Sequence, residues 1–256
     1  MIRFCVLGSG SSGNCIYISN GDSAILLDAG FSGKEIMSRM NDAGLDPGTV
    51  RAVVVTHEHI DHSRSAGIMS RKLKIPVYMN EKTHARVSRS IGVLHELEIF
   101  DVGDGFEVAG LVAESFAIPH DASDPCAFLF RSNGTRMAVI TDSGSISTVM
   151  EDKVRDVDYL VVEANHNREM LMAGPYPWEL KQRVSSRMGH LSNEQCAEFL
   201  KNAISPKLQG VTFAHLSETN NNPHLVRQMA EDELSGHNIE FRIAAQSRPE
   251  KVVVIE

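Results

Sequence analysis

The stretch Thr56-His57-Glu58-His59-Ile60-Asp61-His62 decides the fold prediction, because it sets four metal-binding side chains in an HxHxDH pattern after a short apolar run. In an extended segment residues i and i+2 point to the same side, so His57 and His59 can bind one cation together. If the chain then turns into a helix, Asp61 and His62 come back toward the same point and can hold a second cation. Imidazole and carboxylate are ligands of zinc, manganese and iron.

Three later apolar runs, each predicted to be a strand, also end in a residue of these ligand types. They lead to His120, Asp142 and His215. In layered α/β folds, sites are assembled at strand termini. One such residue alone is usually just solvated, but three of them beside an HxHxDH turn predict the remaining ligands of a two-metal site.

A glycine-rich segment near the N-terminus, Gly8-Ser9-Gly10-Ser11-Ser12-Gly13, matches the GxGxxG pattern of dinucleotide-binding proteins. That fingerprint requires a helix to begin at the glycines. The following residues, Asn14–Ser19, are β-branched and typical of a strand. The segment is therefore interpreted as a hairpin loop whose glycines let a ligand approach the backbone closely.

The composition is that of a folded protein of 256 residues, with 42% hydrophobic residues and a net charge of −8. The acidic balance argues against coating nucleic acid by bulk charge. No apolar run is long enough to span a membrane, no CxxC pair is present, and residues 1–8 lack a signal-peptide cleavage pattern. These features predict a cytoplasmic protein with reduced cysteines, no membrane contact and no obligate protein partner.

Predicted strands fall into two halves of the chain, and each half is followed by helices. This order favours an α/β fold in which two sheets pack face to face with helices outside. No repeat or linker separates the halves, so one domain over residues 1–256, without an inserted second domain, is expected.

The motifs together resemble the metallo-β-lactamase superfamily, and the resemblance covers nearly the whole chain in the superfamily's order. It implies an αββα sandwich of two mixed sheets holding two divalent ions, manganese or zinc, with iron also possible. By the same resemblance, Asp28 buttresses the HxHxDH turn. The implied ligands are His57, His59 and His120 for one ion, Asp61, His62 and His215 for the other, and Asp142 as the bridge.

A closer resemblance is carried by five segments, Gly8–Asn14, Glu163–His166, Tyr176–Trp178, Gly189–Asn193 and His215–Ser217. Together they resemble one branch of the superfamily, the bacterial WalJ/YycJ-type hydrolases, and this resemblance implies a 5′-to-3′ exonuclease acting on DNA ends. Two departures from the pattern of that branch, Asn167 and the segment Ser63–Gly67, touch no implied ligand.

The segment after Gly189 is typical of phosphate chemistry. Ser192 with Gln195 forms a capping box, which predicts a helix beginning just after His190. A helix N-terminus is a natural phosphate site, and a histidine beside it can protonate a leaving oxygen. His190 is therefore predicted to be a general acid. Predicted substrate contacts are Ser192 and the basic residues Lys181, Arg183 and Arg187, for which a solvated helix face is an equal alternative.

Three further residues have two open interpretations. Tyr176 and Trp178 offer aromatic faces to a nucleobase or pack in the ordinary way. His166 is either a catalytic residue in contact with substrate or a structural histidine.

The function best supported by these patterns is a two-metal-ion phosphodiesterase, with Asp61, His190 and His166 as catalytic candidates and nucleic acid, DNA above all, as substrate. A metal-bridging hydroxide would attack phosphorus. The alternative is an acyl hydrolase, such as a glyoxalase-type thioesterase, with the same metal site. A phosphodiesterase for RNA or small cyclic nucleotides is a third possibility. An acyl hydrolase would not need the His190 segment or its basic residues, which favours phosphodiesters.

Overall fold

The computed structural model describes residues 1–256, which form fourteen strands, nine α-helices and one 3₁₀ turn at Pro47–Thr49. The strands are β1 (Ile2–Gly8), β2 (Cys15–Ser19), β3 (Ala24–Leu27), β4 (Val50–Val54), β5 (Pro76–Met79), β6 (Glu96–Ile99), β7 (Gly105–Val108), β8 (Leu111–Ala117), β9 (Cys126–Ser132), β10 (Thr135–Ile140), β11 (Tyr159–Glu163), β12 (Gly210–Ala214), β13 (Glu240–Ile243) and β14 (Val253–Ile255). The helices are α1 (Gly33–Asp42), α2 (Ile60–Ser63), α3 (Ala66–Leu73), α4 (Glu81–Ile91), α5 (Thr148–Val154), α6 (Arg168–Ala173), α7 (Trp178–Val184), α8 (Asn193–Ala203) and α9 (Pro223–Glu233).

The strands form two mixed sheets of seven strands each, in the orders β14-β1-β2-β3-β4-β5-β6 and β13-β12-β11-β10-β9-β8-β7. In the first sheet, pairing is antiparallel from β14 to β3 and parallel from β3 to β6. In the second, pairing is antiparallel from β7 to β10 and parallel from β10 to β13. Parallel pairing needs crossover connections, and the intervening helices supply them.

Central strands are apolar on both faces, which explains why they lie inside the molecule. In β11, Tyr159 and Val161 belong to the core between the two sheets, whereas Leu160 and Val162 pack toward helices. Three apolar layers result: the first sheet against α1, α3 and α4, sheet against sheet, and the second sheet against α5, α8 and α9. This is the predicted αββα sandwich, and it confirms the fold class.

The glycine-rich segment is the predicted hairpin loop, since β1 and β2 flank it as antiparallel neighbours. It packs on the HxHxDH turn, where the Asn14 amide N–H donates to the Asp61 carbonyl at 2.7 Å. At Gly30, a Cβ atom would lie 1.7 Å from the same carbonyl oxygen. Any side chain there would therefore displace the turn, so Gly30 is required by close approach.

Two helices differ from the sequence-based expectation. The residue pattern of Trp178–Arg187 predicts one helix over the whole segment, whereas α7 ends at Val184. The sequence does not predict α6, because its six residues are too few to show a clear helical period. None of the nine helices combines the length and apolarity that a membrane crossing requires.

Candidate dinuclear metal site

The candidate ligands lie together because each follows the end of a strand along one edge of the sandwich. The HxHxDH turn follows β4, and His59 is the N-cap of α2, which carries the rest of the motif. His120 follows β8, Asp142 follows β10 and His215 follows β12. Strands that end at one edge thus bring together residues far apart in sequence.

A first ligand group consists of His57, His59 and His120, whose ligand atoms lie within 4.8 Å of one another. His120 Nε2 is 3.2 Å from His59 Nδ1. His57 and His120 are fully buried, while His59 is partly exposed at the cavity. Three imidazoles with converging nitrogens form one face of a metal site.

A second group consists of Asp61, His62, Asp142 and His215, and it contains both carboxylates. Asp142 lies between the groups. Its Oδ2 atom is 3.2 Å from His62 Nε2, and its Oδ1 atom is 3.5 Å from His215 Nε2 and 4.0 Å from His120 Nε2. One carboxylate within reach of histidines from both groups is the arrangement that a bridging ligand requires.

Four buried histidines have their Nδ1 atoms fixed by a neighbour. His62 Nδ1 is 2.8 Å from Asp28 Oδ2, and His215 Nδ1 is 2.8 Å from Glu163 Oε1. Nδ1 of His120 lies 3.0 Å from a backbone carbonyl and Nδ1 of His57 lies 3.0 Å from a threonine hydroxyl. Fixing Nδ1 leaves Nε2 as the ligand atom and sets the ring orientation.

Strained backbone marks three residues of this edge. Asp28, Asp142 and His215 have φ values of 62°, 60° and 54°, in the left-handed region. Asp28 and His215 come directly after strands, and Asp142 is the second residue after β10, so the left-handed conformation falls where the chain leaves the pleat of each strand. Such conformations cost about 1–3 kcal/mol each and cluster at functional sites.

The electrostatics of the two groups differ. Burial lowers the pKa of His57 well below its usual value and also lowers the pKa of His120. Burial alone would lower the pKa of His215 too, but neighbouring carboxylates led by Asp142 raise it to about 10. The same opposition raises the pKa of His62 well above its usual value and holds that of Asp142 well below. His57 and His120 are thus held neutral, whereas the second group is a network of opposite charges.

Buried polar atoms of the ligand groups that lack a hydrogen-bond partner indicate whether cations fit this site. His57 Nε2, Asp142 Oδ2 and His215 Nε2 are buried without a hydrogen bond from the chain. Leaving such atoms unpaired costs about 1–3 kcal/mol each unless something else binds them. All three belong to the two ligand groups, so the donor set fits metal ions.

The ligand groups form the floor of a cavity of about 340 Å³ that opens to solvent. Ser11 of the glycine-rich loop, Ile60 and Arg183 are among its lining residues. His190 also lines it, and its side chain is 19% exposed. The cavity therefore gives a ligand simultaneous access to the ligand groups and to His190.

His190 is connected to the ligand groups through Glu163, which the sequence analysis left without a role. Glu163 Oε1 lies 2.7 Å from His190 Nδ1 and 2.8 Å from His215 Nδ1, so one oxygen orients both rings. Its Oε2 atom accepts from the amides of Ser143 and Leu191. Burial would raise the pKa of Glu163, but His190 and His215 lower it to about 2, which keeps the carboxylate ionised. The sequence contains one signal for a role of Glu163: it is an acidic residue at the end of the otherwise apolar strand β11.

Comparison with known proteins agrees with this geometry. The model of the beta-lactamase superfamily domain matches residues 23–210. The chain is 38% identical to exodeoxyribonuclease YycJ of Bacillus anthracis, over 88% of this chain and 86% of that protein. It is 35% identical to exodeoxyribonuclease WalJ of Streptococcus pneumoniae, over 94% of this chain and 93% of that protein. The chain belongs to the metallo-β-lactamase superfamily.

A solved structure agrees on the fold. The metallo-β-lactamase fold protein YhfI from Bacillus subtilis superposes with a TM-score of 0.77 at 17% identity, covering 98% of this chain and 100% of that one. At this identity the likeness concerns the αββα sandwich alone.

Within this metallo-β-lactamase site, the structure brings all seven predicted ligands together. It separates the three basic residues that were predicted to contact substrate, because only one of them lines the cavity. Arg183 lines the cavity and its guanidinium pairs with Asp121. Lys181 and Arg187 do not line it, and the Lys181 ammonium donates to the Met172 carbonyl at 2.6 Å.

His166 and Ser192 lie behind the cavity of the metallo-β-lactamase site. Ser192 is fully buried as the N-cap of α8, and its hydroxyl accepts from the Gln195 amide within the predicted capping box. His166 pairs with it in an isolated β-bridge, and burial lowers the pKa of His166 to about 4. Both residues hold the segment that carries His190, and their direct roles toward substrate stay predictions.

Proposed function

We propose that this protein is a two-metal-ion phosphodiesterase, and within that class a 5′-to-3′ exonuclease acting on DNA ends. The observation that carries the proposal is the position of Asp142 between two ligand groups at the floor of an open cavity. Two adjacent cations are the recurring arrangement of phosphatases, polymerases and nucleases. Relatives named exodeoxyribonucleases, 35–38% identical over most of the chain, support DNA as the substrate, and the WalJ/YycJ resemblance supports the direction.

The proposed metals are manganese or zinc, with iron sharing the same ligand preferences. When bound, they supply charge that neutralises the scissile phosphate and acidifies water. The first ion would be held by His57, His59 and His120, the second by Asp61, His62 and His215, with Asp142 shared.

His190 is proposed to protonate the departing oxygen of the cleaved bond. Its Nδ1 atom is occupied by Glu163, so Nε2 is the atom available to hold the proton that is transferred. The ionised Glu163 stabilises the positive ring that has to exist before the transfer. A carboxylate-oriented histidine beside the reacting bond is the arrangement of a general acid.

Arg183 is proposed to contact the phosphate backbone of the substrate at the rim. Its guanidinium is already oriented by Asp121, and it lines the cavity. Lys181 and Arg187 lie outside the cavity and are proposed to contact phosphates farther along the strand, where their charges add affinity that weakens with salt.

Three further expectations accompany the proposal. Residues 1–256 are proposed to act as one domain, with no obligate protein partner. The cytoplasm is the proposed compartment, consistent with DNA ends as substrate and with four unpaired, buried cysteines.

The test is a side-by-side assay of 5′- and 3′-labelled DNA, labelled RNA, a cyclic dinucleotide and a thioester, each with added manganese or zinc. Stepwise release of nucleotides from the 5′ end of DNA is expected. Release from the 3′ end would contradict the direction, and preference for RNA or the cyclic dinucleotide would contradict the substrate. Thioester hydrolysis without any phosphodiester cleavage would contradict the proposed function itself.

A further inference from the structure

The helix α7 presents half-buried apolar side chains to the cavity. Leu180 and Val184 are four residues apart on α7, Tyr176 lies two residues before it, and all three line the cavity. None of the seven residues of α7 is buried. An amphipathic helix normally buries its apolar stripe against the core, whereas this one turns it toward the cavity above the ligand groups.

Ile60 adds to the same apolar surface from the HxHxDH turn. Its side chain is 73% exposed, although it lies between the ligands His59 and Asp61, and it lines the cavity with Tyr176. The cavity thus combines a charged floor with an apolar wall, which we define as Ile60, Tyr176, Leu180 and Val184.

The helix part of this wall is fixed in position relative to the floor. The His190 amide donates to the Val184 carbonyl at 2.9 Å. A Cβ atom on Gly189 would lie 2.2 Å from that carbonyl, and one on Gly144 would lie 2.2 Å from the Gly189 amide nitrogen. These glycine contacts seat α7 directly on the segments that carry His190 and Asp142. The wall is therefore preformed for a ligand that spans from the floor to α7.

We propose that the apolar wall binds the base of the terminal nucleotide, unpaired and stacked on Tyr176, while its phosphate lies on the floor. This inference rests on the proposed exonuclease function and names the part of the substrate that the cavity reads. A nucleotide has one charged end and one flat, mostly apolar end, which matches the two sides of the cavity. About 340 Å³ is at the small end of ligand pockets and suits one nucleotide, not a base pair.

Stacking on an aromatic ring does not discriminate among bases, because every base presents a π-face. The wall would therefore accept any terminal nucleotide, as an exonuclease requires, while rejecting an end that lacks a base. Trp178 offers a matched comparison, because it lies two residues after Tyr176 at the start of α7, is 61% exposed and does not line the cavity.

The experiment compares two single-stranded oligodeoxynucleotides that differ only in whether the attacked terminal nucleotide carries a base or is abasic. Wild-type protein with added manganese is expected to show a kcat/KM lower by roughly 5- to 150-fold on the abasic end, mainly through KM. Tyr176→Ala should remove this difference by losing rate only on the end with a base. Tyr176→Phe and Trp178→Ala should both retain the difference, and melting temperatures would confirm that each variant is folded.

Equal cleavage of both oligonucleotides by wild-type protein would overturn the base-binding wall and leave the exonuclease proposal standing. Loss of the difference in Trp178→Ala but not in Tyr176→Ala would also overturn it, since the base would then stack outside the cavity. Thioester hydrolysis with no cleavage of either oligonucleotide would instead refute the proposed function. The wild-type comparison needs no variant, so it decides the matter even if Tyr176→Ala fails to fold.

Discussion

The two ligand groups meet at Asp142 but are built in different ways. The first consists of imidazoles; burial lowers the pKa values of His57 and His120, and uncharged oxygens hold their Nδ1 atoms. The second contains carboxylates, and its histidines are held at Nδ1 by the buried carboxylates of Asp28 and Glu163. Greater negative charge within and behind the second group predicts that it binds the first equivalent of a divalent cation.

The largest effect is expected from removing the carboxylate that joins the groups. Asp142→Ala should lose both ions and lower exonuclease activity by about 10⁴-fold or more, the scale on which hydrolases lose rate with a central catalytic group. Metal content per chain and nucleotide release measure this. The exposed Asp232 provides the matched control, Asp232→Ala, which should keep two ions. Full metal content in folded Asp142→Ala would show that the groups are independent.

Separating the groups is the next test. Asp61→Ala should lose the second ion, keep the first and lower activity by at least roughly 10³-fold, because one cation no longer completes the clamp on phosphate. Elemental analysis should then give one ion per chain in a folded protein. Two ions per chain would refute the assignment of Asp61 as a ligand.

His190→Ala should slow cleavage without altering either group. The expected loss is roughly 100- to 10,000-fold, the range of general acid catalysis, with two ions still bound. A substrate with a leaving group that needs no proton should be cleaved almost as fast by the variant as by wild type. Unchanged turnover of ordinary DNA would remove His190 from the mechanism.

Smaller effects on metal binding, confined to one ligand group, are expected from substituting the residues that hydrogen-bond to the ligands. Asp28→Asn and Glu163→Gln each remove a charge that orients a histidine of the second group, so each should weaken binding of the second ion by about 10- to 100-fold. Only Glu163→Gln should also slow the proton transfer, because only Glu163 contacts His190. Metal titrations combined with the rate on the two kinds of leaving group separate these effects. If the affinity for the first ion fell as much as the affinity for the second, the proposed difference between the two groups would be contradicted.

The last expected difference between the two groups concerns pH. His62 and His215 have raised pKa values, to about 10 for His215, so each carries a proton near neutral pH that a cation has to displace. Affinity of the second group should rise with pH, by about tenfold per unit for each proton released, between neutrality and pH 10. Because the pKa values of His57 and His120 are lowered, the affinity of the first group should show no such rise above pH 7. Competition titrations with metal measure each group alone, the second group in His57→Ala and the first in Asp61→Ala. If metal affinity changed with pH equally in both variants, the predicted difference between the groups would be contradicted.

Much of the metal site was predictable because its information is local. The HxHxDH spacing places ligands by the geometry of a strand end and one turn of helix, and α2 begins immediately after His59. The capping box at Ser192 likewise depends on residues three apart, and the structure contains both of its hydrogen bonds. His120, Asp142 and His215 were predictable as strand ends, but their partners came from the family resemblance.

The sequence by itself determined which side chains are candidate metal ligands and that apolar strands alternate with helices. Only the tertiary structure decided which residues connect the candidate ligands to the proposed general acid. Glu163 orients His190 and His215, which lie 27 and 52 residues away, and no local period records such contacts. The sequence also left Tyr176 and Trp178 equivalent, whereas in the folded chain only Tyr176 lines the cavity and Trp178, at the start of α7, does not. Side-chain direction depends on how an element packs against its neighbours, and that is fixed only when the whole chain is folded.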